Sequence, residues 1–148
     1  MRALVQRVSE AAVLVDGQIL GKIGYGMVVF VGIRHDDTVE QVDHLVEKVL
    51  HLRIFPDLQG KMNLNVLDTS GGLLIVSQFT LYGDTKKGNR PSYSQAAKAD
   101  LARPLYEYFV ERCRAKAVNV AEGAFQAHMQ VRLINDGPVT LMCYSESD

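Results

Sequence analysis

The segment Ser77-Gln78-Phe79-Thr80 sets two hydroxyls and a carboxamide at the end of an otherwise apolar run, Leu73-Leu74-Ile75-Val76. Left buried without partners, such groups cost about 1 to 3 kcal/mol each. At a strand end they can instead open into a pocket, held by a rigid backbone; the bland alternative is that Ser77 and Thr80 only satisfy backbone groups at the strand terminus. A second constellation is Lys86, Lys87 and Arg90 between Tyr82 and Tyr93. Three cations beside aromatic rings can hold phosphates while a base or ribose stacks nearby, or can simply solvate a loop. The four histidines offer acid, base or metal chemistry. His44 and His51 lie seven residues apart on a helical pattern, about 10.5 Å along its axis, too far for one zinc. His35 and His128 have no motif around them, and no Gly-x-Ser-x-Gly elbow accompanies any serine. Asn135-Asp136-Gly137-Pro138 reads as a hairpin turn, and trans is the default for its Gly-Pro bond, since only about 5–6% of X-Pro bonds are cis.

These residues need elements to position them. Ala3 to Val15 alternates, reaches the turn dipeptide Asp16-Gly17, and resumes at Gln18 to Ile23, which predicts two paired strands. Met27 to Ile33 is almost wholly apolar and predicts a strand buried on both faces. Val39, Val42, Leu45, Val46 and Val49 recur at helical spacing behind Asp36, Asp37 and Thr38, so residues 38–52 should form an amphipathic helix. Ile54 to Gly60 reads as a loop, Leu73 to Leu81 as a core strand, and Tyr82 to Ser92 as a cationic loop. A second helix is expected over about 95–116, kinked at Pro104 or regular only from Asp100. Met129 to Ile134 and Val139 to Tyr144 read as the strands flanking the last turn.

A chain of 148 residues suits one domain spanning 1–148, large enough to fold without a disulfide or a metal. Apolar residues make up 47% and charged residues 22%, which excludes a disordered or collagen-like chain. The amino terminus does not read as a signal peptide, and no apolar run approaches the roughly 20 residues that span a bilayer. Cys113 and Cys143 therefore read as reduced thiols of a cytoplasmic protein. Sixteen basic against seventeen acidic residues leave a net charge of -1, without the overall positive field that drives sequence-independent nucleic-acid binding.

Taken together, the segments resemble the D-aminoacyl-tRNA deacylase family. The resemblance rests on Arg7-Val8, Val15-Asp16-Gly17, Leu52-Arg53-Ile54-Phe55, Gly60-Lys61-Met62-Asn63, Ser77-Gln78-Phe79-Thr80-Leu81-Tyr82, Gly88-Asn89-Arg90-Pro91-Ser92 and Asn135-Asp136-Gly137-Pro138-Val139-Thr140. It implies a compact α/β domain of antiparallel, barrel-like sheets with two main helices, working as a homodimer with active sites at the subunit interface. It also implies a cis Gly137-Pro138 bond that reaches into the partner's pocket and excludes L-amino acids, with Arg7 bracing it. The turn then acts as a chiral gate, because Pro fixes φ and Gly lets backbone approach the substrate closely.

The reaction implied is hydrolysis of the ester between a D-amino acid, or glycine, and the terminal adenosine of tRNA, without metal or other cofactor. Phe125 and Met129 would line the adenosine pocket, Lys86, Lys87 and Arg90 would meet tRNA phosphate, and neither DNA nor a membrane is an expected partner. Ser77, Gln78, Phe79 and Thr80 would form the catalytic segment. Neither signature segment, Ser77–Thr80 nor Gly137–Thr140, contains a His or carboxylate. The implied mechanism is therefore assistance by the ribose hydroxyl, with backbone N–H groups around residues 78–80 holding the oxyanion. A Thr80 nucleophile is the competing mechanism. An L-specific paralogue on the same fold and a non-catalytic RNA-binding module are the alternative functions. The chain departs from the family at Gln126, where Gly is usual, at Asn65, where Ser is commoner, and at Pro104.

Overall fold

The computed structural model describes residues 1–145. Strand β1 (Arg2–Val15) organises it, pairing antiparallel with β2 (Gln18–Ile23), β3 (Gly26–Gly32) and β8 (Gln130–Tyr144). Two parallel pairs extend the sheet, β3 with β6 (Gly72–Ser77) and β6 with β7 (Asn119–Glu122). Both parallel connections carry a helix, as parallel neighbours require: α1 (Val39–Leu50) before β6 and α2 (Ala99–Arg114) before β7. The sheet is barrel-like and has the two expected helices; the expected antiparallel pairs are joined by two parallel ones, which makes it mixed. It nearly closes where β2 meets β7: a Cβ on Gly21 would lie 2.8 Å from the Glu122 carbonyl oxygen, so only glycine lets these backbones approach.

Strand alternation divides the interior in two. Met27, Val29, Val31, Leu73 and Ile75 face the helices, where they join Val42, Leu45, Val46, Val49, Tyr106 and Phe109. Their neighbours Val28, Leu74 and Val76 point the other way, onto Val8, Val13 and Ile23. The apolar run in β3 and β6 is therefore what a strand buried on both faces demands. Helix α1 begins at the expected cap, where the Gln41 side-chain oxygen accepts the Thr38 N–H at 2.7 Å. Asp37 is buried instead of capping, and accepts the Met1 ammonium at 3.0 Å and the Arg34 N–H at 2.6 Å. Pro104 sits inside α2 on an exposed face, and the helix starts at Ala99, close to the regular start anticipated at Asp100.

Three sequence expectations are corrected. The loop after Ile54 contains a small hairpin, β4 (Phe55–Pro56) with β5 (Met62–Leu64). Strand β6 stops at Ser77 and does not reach Leu81; its partner β3 ends at Gly32, and a 3-10 turn takes over at Phe79–Tyr82. The segment 135–138 is no hairpin. The chain on both sides of it pairs with β1 in one direction, with Gln6 opposite Thr140 and Val8 opposite Asn135, so β1 advances two residues while β8 advances five. The surplus bulges out of a continuous strand.

Candidate active site

A cavity of about 520 Å³ opens where β6 ends. Ser77, Gln78 and Phe79 form one side, the first turns of α2 contribute Ala99 and Ala102, and the segment from Phe125 to Val131 forms the third side. Most of this lining is apolar. Among the described residues His128 is the only ionisable side chain in it, with Ser77, Gln78 and Gln126 as the uncharged polar groups.

The end of β6 explains how polar groups come to face this space. The Gln78 N–H still donates to the Val31 carbonyl at 2.8 Å, prolonging the β3–β6 ladder by one bond. The 3-10 turn then begins, and its first two N–H groups, on Phe79 and Thr80, have no acceptor among the described residues. The Thr80 hydroxyl accepts a hydrogen bond from the Gln78 carboxamide. Thr80 is exposed and does not line the cavity, whereas the other three residues of the segment do.

Phe125 and Met129 both line the cavity. The Phe125 ring packs against α2, with the Tyr106 ring 5.8 Å away and the Arg103 guanidinium 5.0 Å from its centroid. Tyr106 is itself fixed, since its buried hydroxyl donates to the Ile75 carbonyl at 3.1 Å. Burial pushes that phenol well above its ordinary pKa, so it stays a neutral donor.

Gly137 and Pro138 are exposed and do not line the cavity of their own chain. Their peptide bond is cis, against the trans default. Asn135 closes the bulge that carries them: its side-chain oxygen accepts the Val139 N–H at 2.9 Å while its amide donates to the Thr140 hydroxyl at 2.9 Å. Arg7 lies beneath, its Nε donating to the Asp136 carbonyl at 2.9 Å and its NH1 to the Ile54 carbonyl at 2.6 Å. One side chain thus ties the bulge to the segment before β4. Arg7→Ala should destabilise the fold by about 1 to 3 kcal/mol by leaving part-buried carbonyls without a donor. Urea unfolding checks this; a midpoint unchanged from the parent would show that the tie is redundant.

Lys86, Lys87 and Arg90 sit on an exposed loop outside the cavity lining. Paired bonds between Asp84 and Ser92, at 2.7 and 2.9 Å, close that loop. Its return limb carries Tyr93, which packs edge-on against Phe79 at 5.1 Å, so the cations connect to the cavity mouth through one aromatic contact. Among the described residues no group of three or more His, Cys, Asp or Glu could hold a metal ion, and no helix is long and apolar enough to cross a membrane. Both cysteines are unpaired and buried, and burial pushes the Cys113 thiol up to about 12. The alanines of α2, Gln126 and His128 were not foreseen as site residues, because nothing in their local sequence marks them.

Fold and cavity together define a small α/β protein with a pocket at a strand end, whose polar equipment is backbone amides, the side chains of Ser77, Gln78 and Gln126, and His128. A model of the D-Tyr-tRNA(Tyr) deacylase family matches residues 4–144. The D-aminoacyl-tRNA deacylase of Thermosipho africanus is 55% identical, over 99% of this chain and 98% of its own. That of Clostridioides difficile is 53% identical over 96% and 95%. The chain belongs to this deacylase family. A solved structure named c-Myc DNA Unwinding Element Binding Protein superposes with a TM-score of 0.95 at 40% identity, covering 99% of this chain and all of that one (100%). Another, named as a probable eukaryotic D-amino acid tRNA deacylase, shares the fold with a TM-score of 0.84 at 21% identity, covering 96% and 97%.

Proposed function

We infer that this protein hydrolyses the ester of D-aminoacyl-tRNA, releasing the D-amino acid and free tRNA. Full-length family membership carries this reading, and the cavity beside Ser77–Phe79 supplies a place for the chemistry. Water attacks the ester carbonyl, the bond from that carbon to the ribose oxygen breaks, and the ribose oxygen takes up a proton. The N–H groups of Phe79 and Thr80, without an acceptor among the described residues, would hold the oxyanion. Gln78, whose N–H is committed to Val31, would contribute through its side chain only. The free hydroxyl of the terminal ribose would help activate water, and Phe125 and Met129 would enclose the adenosine.

Chirality in this reading comes from exclusion, which needs no recognition of individual side chains. A wall of backbone at Gly137–Pro138 would meet the side chain of an L-amino acid, and D-amino acids or glycine would pass. Because that wall lies outside its own chain's cavity, a second copy would have to supply it, with Arg7 as its brace. Ile134 and Leu141, exposed on β8 to either side of the bulge, suit such a contact. The loop bearing Lys86, Lys87 and Arg90 would meet phosphates of the tRNA end, and a net charge of -1 fits a local contact better than a grip on the tRNA body or on DNA.

Deacylation of D-Tyr-tRNA and L-Tyr-tRNA, measured side by side, tests the reading. The D-ester should disappear at low enzyme concentration while the L-ester persists at its spontaneous rate. No loss of the D-ester above background would leave a non-catalytic RNA-binding module, and equal loss of both would remove the chiral gate. Selective loss of the L-ester would make the protein the L-specific paralogue.

A further inference from the structure

Gln126 occupies a position its backbone does not favour. It has φ +64°, the left-handed region in which glycine is at ease and a branched-off side chain is not. The strain follows from a tight turn, Ala124 to Ala127, closed by a 3.2 Å bond from the Ala127 N–H to the Ala124 carbonyl, with Gln126 at its third position. No local bond compensates: the residue is exposed, and its carboxamide, open to solvent, makes no hydrogen bond among the described residues. The side chain nevertheless lines the cavity, directly beside Phe125. An outlying backbone conformation that delivers an uncommitted donor and acceptor to a binding cavity points to a ligand contact.

The carboxamide offers an acceptor oxygen beside a donor NH2. Adenine presents the complementary pair on either of its two edges, a 6-amino donor next to a ring nitrogen acceptor, and glutamine is a favoured partner for that arrangement. We propose that Gln126 is a specificity-determining residue that selects the adenine base of the substrate's terminal nucleoside by hydrogen bonding to its 6-amino group. This rests on the reading that the cavity takes that nucleoside. Phe125 would supply a sequence-tolerant stacking surface, and Gln126 would add the discrimination that stacking lacks.

The test compares D-tyrosyl esters of adenosine and of purine riboside, which lacks only the 6-amino group, with D-Tyr-tRNA hydrolysis measured alongside. The wild-type protein should cleave the adenosine ester with a kcat/KM roughly tenfold higher than the purine riboside ester. Gln126→Ala and Gln126→Gly should cleave both esters alike, at about the lower rate. Gln126→Gly should also raise the thermal midpoint by relaxing the left-handed backbone, which separates a fold effect from a loss of discrimination. Equal cleavage of both esters by the wild type, or undiminished discrimination by Gln126→Ala, would overturn the proposal. Failure of the wild type to cleave D-Tyr-tRNA would overturn the deacylase reading beneath it.

Discussion

A D-Tyr-tRNA ending in 2′-deoxyadenosine should be cleaved roughly 100-fold or more slowly than the natural substrate, whereas Thr80→Ala should stay within about threefold of wild type. The two expectations follow from one arrangement. A hydroxyl nucleophile must give its proton to a base, but the Thr80 hydroxyl accepts a hydrogen bond from the Gln78 carboxamide, and a carboxamide in either orientation is no base at neutral pH. Thr80 also lies outside the cavity lining. What its residue can contribute is the backbone N–H, and alanine retains that group. Among the described residues His128 is the one ionisable side chain in the lining; it is exposed and makes no hydrogen bond there that would orient it as a base. His128→Ala should therefore also keep most of the activity. On the proposed mechanism the neighbouring ribose hydroxyl assists water, and its removal would take away a contribution of the size that positioned acid–base groups make. Single-turnover rates on the two RNAs and the two variants decide the matter. A dead Thr80→Ala with normal cleavage of the deoxy substrate would establish the side-chain nucleophile, and a dead His128→Ala would establish a histidine base.

How far such a site can be read from residues alone depends on whether its parts carry local periodicity. Strands β1 to β3 and helix α1 were legible because alternation and three-to-four spacing report burial directly. The end of β6 was not. Its apolar run continues into Phe79 and Leu81, and only the end of β3 at Gly32 leaves those residues without a partner. Asn135-Asp136-Gly137-Pro138 was misread for a related reason, since the residues that make a hairpin also make a bulge, and pairing with β1 on both sides decides between them. The cavity wall was the least legible part. Ala99 and Ala102 follow ordinary helix composition, and the left-handed backbone at Gln126 is signalled only by the glycine that the family usually has there. The segments 77–80 and 135–140 stand out in the sequence by composition, but the residues that give the pocket its shape are defined by where α2 starts and where the chain enters β8.

Gly137→Ala should reduce D-Tyr-tRNA deacylation about 100-fold while leaving the fold intact. Gly137 has φ +138°, and an added Cβ would meet the Val139 side chain at 2.8 Å, the Val139 nitrogen at 3.0 Å and the Arg7 guanidinium at 3.1 Å. The bulge must then shift, and it is exposed, so the displacement falls on whatever the bulge faces. Misplacing a positioning element by about 1 Å is enough for a loss of this size. The same variant tests whether the site is shared between copies. Ala99→Trp fills the cavity from the first turn of α2 and should be inactive by a different route. Each protein alone has no complete site. In a symmetric dimer whose bulge serves the opposite cavity, however, a mixed dimer rebuilds one: the cavity of the Gly137→Ala chain receives the unaltered bulge of the Ala99→Trp chain. Random assembly from equal amounts should recover about one quarter of wild-type activity, because half the dimers are mixed and each carries one intact site of two. If bulge and cavity of one chain served each other, co-assembly would recover nothing, since every chain would carry its own defect.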